Sequence, residues 1–214
     1  MAVGWSLEER ISRVVPRARR FLGSNEPGNY LVSVKIPCEQ PDVISLADLD
    51  LNKDLSVWMD YLLAKAKCLW ETNAGLDDDT IPSVCPFFGW AEHSAWLGAE
   101  VQLQKDTCVG VPFVKDPDDL KVMENFSNAV HNPWYRYMKE GYDYLRSKKD
   151  GSFLLSVRGH ACPIDIASSI RGDELFCDFL LNPEFARKLL DFSTKAIAWY
   201  YPQLRSWADP VEDG

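Results

Sequence analysis

"SFLLSVRGHACPIDIASSIRG", Ser152 to Gly172, decides how the chain is read. An apolar run, Phe153 to Arg158, reads as a buried strand. It ends at Arg158-Gly159, and a helix follows from Pro163 to about Ile170. Strand, tight turn and helix form the repeating unit of α/β proteins, and in (β/α)8 barrels the strand ends point into the active site. Between strand and helix stands His160-Ala161-Cys162, whose residue types could ligate zinc. The stretch is therefore either a metal site or a strand end that carries a histidine and a thiol.

Working outward, Lys148-Lys149-Asp150-Gly151 is a turn into that strand, and Asn182-Pro183 starts a long helix with Phe185, Leu189, Phe192 and Leu204 on one face. Upstream, Asn132-Pro133 opens a helix whose Trp134, Met138, Tyr142 and Leu145 share a face, and Asp116-Pro117 opens another. Two short β-like runs, Val101–Gln104 and Thr107–Val114, follow the short helix in "WAEHSAWLGAEV". A short buried strand, Thr80–Cys85, precedes Phe87, Phe88 and Gly89. Towards the N-terminus the residues predict a helix from Ser6, boxed by Glu9, a strand "YLVSVKI" (Tyr30–Ile36), and an amphipathic helix from Leu51 that Asn73-Ala74-Gly75 stops. Helices alternating with buried strands predict an α/β fold with parallel pairing. A closed (β/α)8 barrel takes about 250 residues, so after a helical lead-in over 1–76 only a partial barrel domain, 77–214, fits. Open strand edges and self-association are the expectation for such a piece.

Composition narrows the class. Of 214 residues, 46% are hydrophobic and 26% charged, the balance of a globular protein. A formal net charge of −9 argues against a nucleic-acid partner. The one basic cluster, Arg10, Arg13, Arg17, Arg19 and Arg20, reads as the solvated face of the first helix, and Asp77-Asp78-Asp79 as a solvated turn. No stretch has the length of a membrane span and the N-terminus has no apolar signal core, so no membrane association and a cytoplasmic location are expected. The six cysteines, Cys38, Cys68, Cys85, Cys108, Cys162 and Cys177, are widely spaced without a C-x-x-C pair, which suits buried, reduced thiols.

The ordered series "DDDTIPSVCPFFGWAEHSAWLGAEV" (from Asp77), "VPFVKDPDDLKVM" (from Val111), "NPWYRYMKEGYDYL" (from Asn132) and "LSVRGHACPIDIASSIRGDELFCDFLLNPEFARKLLDF" (from Leu155) resembles the uroporphyrinogen decarboxylase superfamily. The resemblance runs from about Asp77 to Trp207 and implies the N-terminal part of a longer (β/α)8 barrel protein. For the full-length protein it implies an enzyme, either a tetrapyrrole carboxy-lyase or a zinc- and corrinoid-dependent methyltransferase. A truncated, non-catalytic domain that binds a tetrapyrrole or a protein is the third reading. The decarboxylases' N-terminal arginine-rich segment has no match in residues 1–60, and Ser168-Ser169 stand where their active-site tyrosine falls. Their essential aspartate falls near Gly89, with Asp79 and Glu92 the nearest acids. The methyltransferases' His-x-Cys follows a later strand than the one before His160-Ala161-Cys162, so the pattern matches and the position does not.

With two ligands and no second pair, His160 and Cys162 read as strand-end residues. No cofactor is expected in this part of the chain, and zinc only where a longer C-terminal half supplies ligands. The partner implied by the resemblance is a tetrapyrrole or a corrinoid protein. The two best strand ends predict one concave site with Phe87 and Phe88 as aromatic walls, Arg158 and His160 beside them, and Asp165 and Arg171 on the polar side. The plainer alternative pairs Arg158 with Asp165 and leaves the phenylalanines as packing. His93 reads as a surface or partly packed histidine, and His131 as structural.

Overall fold

The structure, a computed structural model, describes residues 6–24, 30–39, 41–123, 125–159 and 162–210. Among these residues eight α-helices and four short strands follow in the order α1 (Leu7–Gly23), α2 (Leu51–Thr72), β1 (Ser83–Val84), α3 (Glu92–Ala95), β2 (Val101–Leu103), β3 (Cys108–Gly110), α4 (Pro117–Met123), α5 (Pro133–Ser147), β4 (Leu154–Leu155), α6 (Pro163–Arg171), α7 (Glu174–Leu181) and α8 (Pro183–Trp207). Local chemistry sets most of the starts. Ser6 and Glu9 form the capping box of α1, with Glu9 N–H donating to Ser6 Oγ at 3.2 Å. The Asn132 Oδ1 accepts from Trp134 N–H at 2.9 Å at the head of α5, and Asp116 Oδ1 from Asp118 N–H at 2.8 Å at the head of α4.

β1 and β4 pair in parallel, Ser83 opposite Leu154 and Val84 opposite Leu155. β2 and β3 form a separate antiparallel hairpin. Among the described residues the parallel pairing stops at these two strands. The fold is therefore mixed α/β and mostly helical, and a closed or visibly incomplete (β/α)8 barrel is not seen. The outer edge of β4 is not open: Asp209 N–H donates to Leu155 O at 2.8 Å, and Leu155 N–H to Asp209 Oδ2 at 2.7 Å. The segment after α8 thus covers the edge that the sequence reading leaves exposed.

One apolar core runs from Leu46 to Ala208. α2 packs on α5 and β1, while α8 packs on α6, α7, α4 and α5. Trp58, Tyr142, Tyr200, Phe88 and Phe153 are its largest fully buried side chains. At about 25 cal/mol per Å², large rings of this kind dominate the apolar stabilisation. An aromatic ladder ties α8 to the neighbouring helices: Trp96 stacks on Tyr200 with centroids 4.5 Å apart, and Phe126 meets Phe192 at 5.4 Å.

Three sequence readings change near the N-terminus. Tyr30–Ile36 is extended but joins no sheet; Val32, Val34 and Ile36 N–H donate instead to Asp79 Oδ2, Asp78 Oδ2 and Asn73 Oδ1 at 2.9, 2.9 and 3.0 Å. The aspartate run is only in part a solvated turn, since Asp77 is exposed while the Asp78 and Asp79 side chains are buried. Arg10 Nη1 meets Asp78 Oδ1 at 2.9 Å with both side chains buried, Arg17 meets Asp79 at 3.1 Å, and Arg13 pairs with Asp77. The arginines of α1 and the aspartates after α2 answer each other, which neither segment shows alone. Finally, Cys38 and Cys68 are disulfide-bonded with Cα atoms 6.3 Å apart, so not all six thiols are reduced. Of the other four, Cys162 and Cys177 are exposed rather than buried.

Candidate functional site

The C-terminal ends of β1 and β4 lie side by side because the strands are parallel, so residues 85–92 and 156–159 emerge on one face. Tyr142 of α5 fastens the second of these. Its buried hydroxyl donates to Ser156 O at 2.9 Å and accepts from Arg158 N–H at 2.6 Å. The first is fastened by Trp58 of α2, whose indole N–H donates to Phe87 O at 2.8 Å.

Arg158 is buried, and each of its three guanidinium nitrogens donates a hydrogen bond. Nε donates to Glu92 Oε1, Nη2 to Gly89 O at 2.9 Å, and Nη1 to Gly159 O. Its plane lies over the Phe87 ring, 4.6 Å from the centroid. Glu92 is buried too, and its second oxygen accepts Phe88 N–H at 3.1 Å. Burial pushes its carboxyl up to about 7, against the pull of the Arg158 charge and the Phe88 N–H. Burial likewise holds the Cys85 thiol above its usual range and, with the Glu92 charge, pushes Cys108 up to about 12. Both thiols are protonated at neutral pH and are poor nucleophiles.

Of the predicted residues, Phe87 and Arg158 meet. Phe88 is wholly buried and turns its edge to Trp134 at 5.9 Å. Asp165 does not hold Arg158, because Glu92 has that place; its Oδ2 accepts Cys162 N–H at 2.9 Å at the head of α6. Those bonds from Cys162 keep the carboxyl below the usual range. Arg171 belongs to another cluster: it binds Asp178 at 2.8 Å and Glu174 at 2.6 Å, and donates to Val114 O and Lys115 O. His160 lies outside the described residues. His93 is buried, edge-on to Tyr200 at 5.6 Å, and not at the surface. Among the described residues no three His, Cys, Asp or Glu side chains converge as metal ligands.

The sequence offers Glu92 only as an acid near the displaced aspartate position and not as the partner of Arg158, and it gives Trp90 no role. The signal for Glu92 is an acid inside the alanine- and tryptophan-rich "WAEHSAWLGA", where burial would make it tolerable only with a partner. Trp90 is 72% exposed. It stands at the rim of a hollow of about 390 Å³ whose other walls are Ala91, Cys108, Val109, Gly110, Asp165, Ser168 and Ser169. Ser169 Oγ donates to Ser94 Oγ at 2.8 Å, which in turn donates to Ala91 O at 2.9 Å, fixing the wall between α6 and α3. Gly110 permits this approach, since a Cβ there would stand 2.9 Å from Ser94 Oγ. The arrangement offers an aromatic face, one carboxylate and hydroxyls. That suits recognition of a small ligand.

No family model matches the chain, and no curated protein matches it. Among solved structures, its fold is similar to that of a methyltransferase from Methanosarcina mazei, with a TM-score of 0.57 at 14% sequence identity. The likeness covers 95% of this chain and 56% of that one, so the chain spans little more than half the length of the protein it resembles.

Proposed function

We propose that this chain is a methyl-transfer member of the uroporphyrinogen decarboxylase superfamily, with a methyl-bearing substrate in the hollow behind Trp90. A corrinoid, carried by a partner protein, lies across the rim. The observation that carries the reading is Trp90 itself, an indole left 72% exposed at the end of a parallel strand pair, beside a hollow of about 390 Å³. A flat macrocycle gains stacking area on such a face. The fold likeness to a methyltransferase supports methyl transfer over decarboxylation. So does the state of the arginines, because a polycarboxylate needs free guanidinium groups, and Arg158 and Arg171 are bound to Glu92 and Asp178. When bound, the corrinoid supplies the methyl-carrying metal; this chain holds the substrate and presents the rim. The described residues do not offer a zinc ligand set, and no step is assigned to zinc.

The test is a visible-absorbance titration of methylcobalamin into wild type, Trp90→Phe and Trp90→Ala. Wild type should bind, Trp90→Phe should bind more weakly, and Trp90→Ala should lose roughly fivefold to tenfold, the worth of one stacked ring. Equal binding by all three proteins, or no binding by any, removes the reading.

A further inference from the structure

The charge of the ligand follows from the walls of the hollow. Among the described residues lining it, Asp165 is the one with a charged side chain. The head of α6 would otherwise favour an anion, but Asp165 already answers it by accepting Cys162 N–H at 2.9 Å. An incoming carboxylate or phosphate would meet a like charge, and the guanidinium that faces the Trp90 ring, Arg158 at 6.0 Å, is already paired with Glu92. The remaining walls are weakly polar or apolar: Ala91, Val109, the Cys108 thiol, two serine hydroxyls and the Trp90 indole. A compact, strongly hydrated cation such as a metal ion or a primary ammonium would lose its water there for too few oxygen ligands. A methylated ammonium is different. Its charge is spread over methyl groups that lose little on leaving water, and an indole face attracts it through the ring quadrupole. The hollow, about 390 Å³, is at the small end of ligand sites, which run from about 300 to 1,000 Å³. It has room for a headgroup and is small for a four-ring macrocycle.

We infer that the hollow binds a methylated ammonium headgroup, held between the Trp90 indole and the Asp165 carboxylate. This deepens the methyl-transfer reading by naming the class of methyl-bearing substrate, and it rests on that reading for its role. It does not depend on that reading for the binding itself. Calorimetric titration of choline against its uncharged carbon isostere, 3,3-dimethylbutan-1-ol, tests it on the wild-type protein. Choline should bind at least about tenfold more tightly, the combined worth of a cation–π contact and a carboxylate at a partly exposed site. Asp165→Asn, which keeps an oxygen to accept Cys162 N–H, should lower choline affinity about threefold to tenfold and leave the isostere unchanged. Trp90→Ala should weaken choline about threefold to thirtyfold, with Trp90→Phe in between. Equal affinity for the two compounds, no binding of either, or choline binding indifferent to Asp165→Asn overturns the inference. Choline binding without methylcobalamin binding keeps this site and removes the methyl-transfer reading. Trp90-dependent methylcobalamin binding without preference for choline removes this inference alone.

Discussion

At the scale of single residues, Glu92 and Arg158 depend on each other. Each is buried and would be costly to leave alone, so removing either one should destabilise the fold by about 3–5 kcal/mol. Arg158→Ala is expected to lose that much in urea unfolding, and a loss below about 1 kcal/mol would show the pair to be peripheral. The pH dependence has a definite sign. The Glu92 carboxyl titrates near 4.5 when unfolded and is held up to about 7 in the fold, so as pH rises the unfolded chain gives up its proton first. Its contribution is complete below about 4.5 and is lost between there and about 7. Urea midpoints of the wild type should fall across that window relative to Glu92→Gln, and parallel curves would be against it. Gly89 is fixed by its backbone, with φ at +133° and a would-be Cβ 2.2 Å from Cys108 N. Gly89→Ala should cost about 1–3 kcal/mol or more and blunt the Trp90 rim; an unchanged melting temperature would contradict this. At this scale the sequence made the meeting of Phe87 with Arg158 legible, because strand ends converge. It did not reveal Arg158's partner. Asp165 is closer in sequence, but parallel pairing brings the loop after β1 to the end of β4, and with it Glu92.

At the scale of elements, the segment Tyr30–Ile36 shows what alternation does and does not dictate. A period of two was legible and is real, since alternate amides, Val32, Val34 and Ile36, face one side. The partner was not legible, because the acceptors are side-chain oxygens of Asp79, Asp78 and Asn73 and not a neighbouring strand. Hydrogen exchange should therefore protect residues 32, 34 and 36 and leave 31, 33 and 35 fast, an alternation that an unattached loop would lack. The capped helices were legible to within a residue or two, as α1, α2 and α5 show. α7 was missed because "ELFCDFLL" has apolar residues on nearly every side, and only Leu175 and Asp178 turn inward. Periodicity cannot announce a helix whose apolar face is not one face.

At the scale of the whole molecule, the α/β character was legible from the order of segments, but the barrel was not delivered. Strand length is the physical reason, because two-residue strands such as β1 and β4 carry too few ladder bonds to impose a closed sheet. The long helices supply the core instead. Phe176, Leu180 and Leu181 of α7 are exposed apolar side chains, the last two by more than 80%. The chain is expected to associate with rising concentration, and Leu180→Lys with Leu181→Lys to suppress this; sedimentation velocity unchanged by the double substitution would refute it. At the other end of the molecule, α1 is attached by quite different means. Its buried side chains are Arg10 and Val14, and its arginines grip Asp77, Asp78 and Asp79. Peeling it away would uncover little apolar surface, and both the denaturant slope and the heat-capacity change of unfolding scale with surface uncovered. Such an opening would be nearly silent in a urea curve or a calorimeter, while a protease that cuts after arginine would find Arg17, Arg19 and Arg20 in reach.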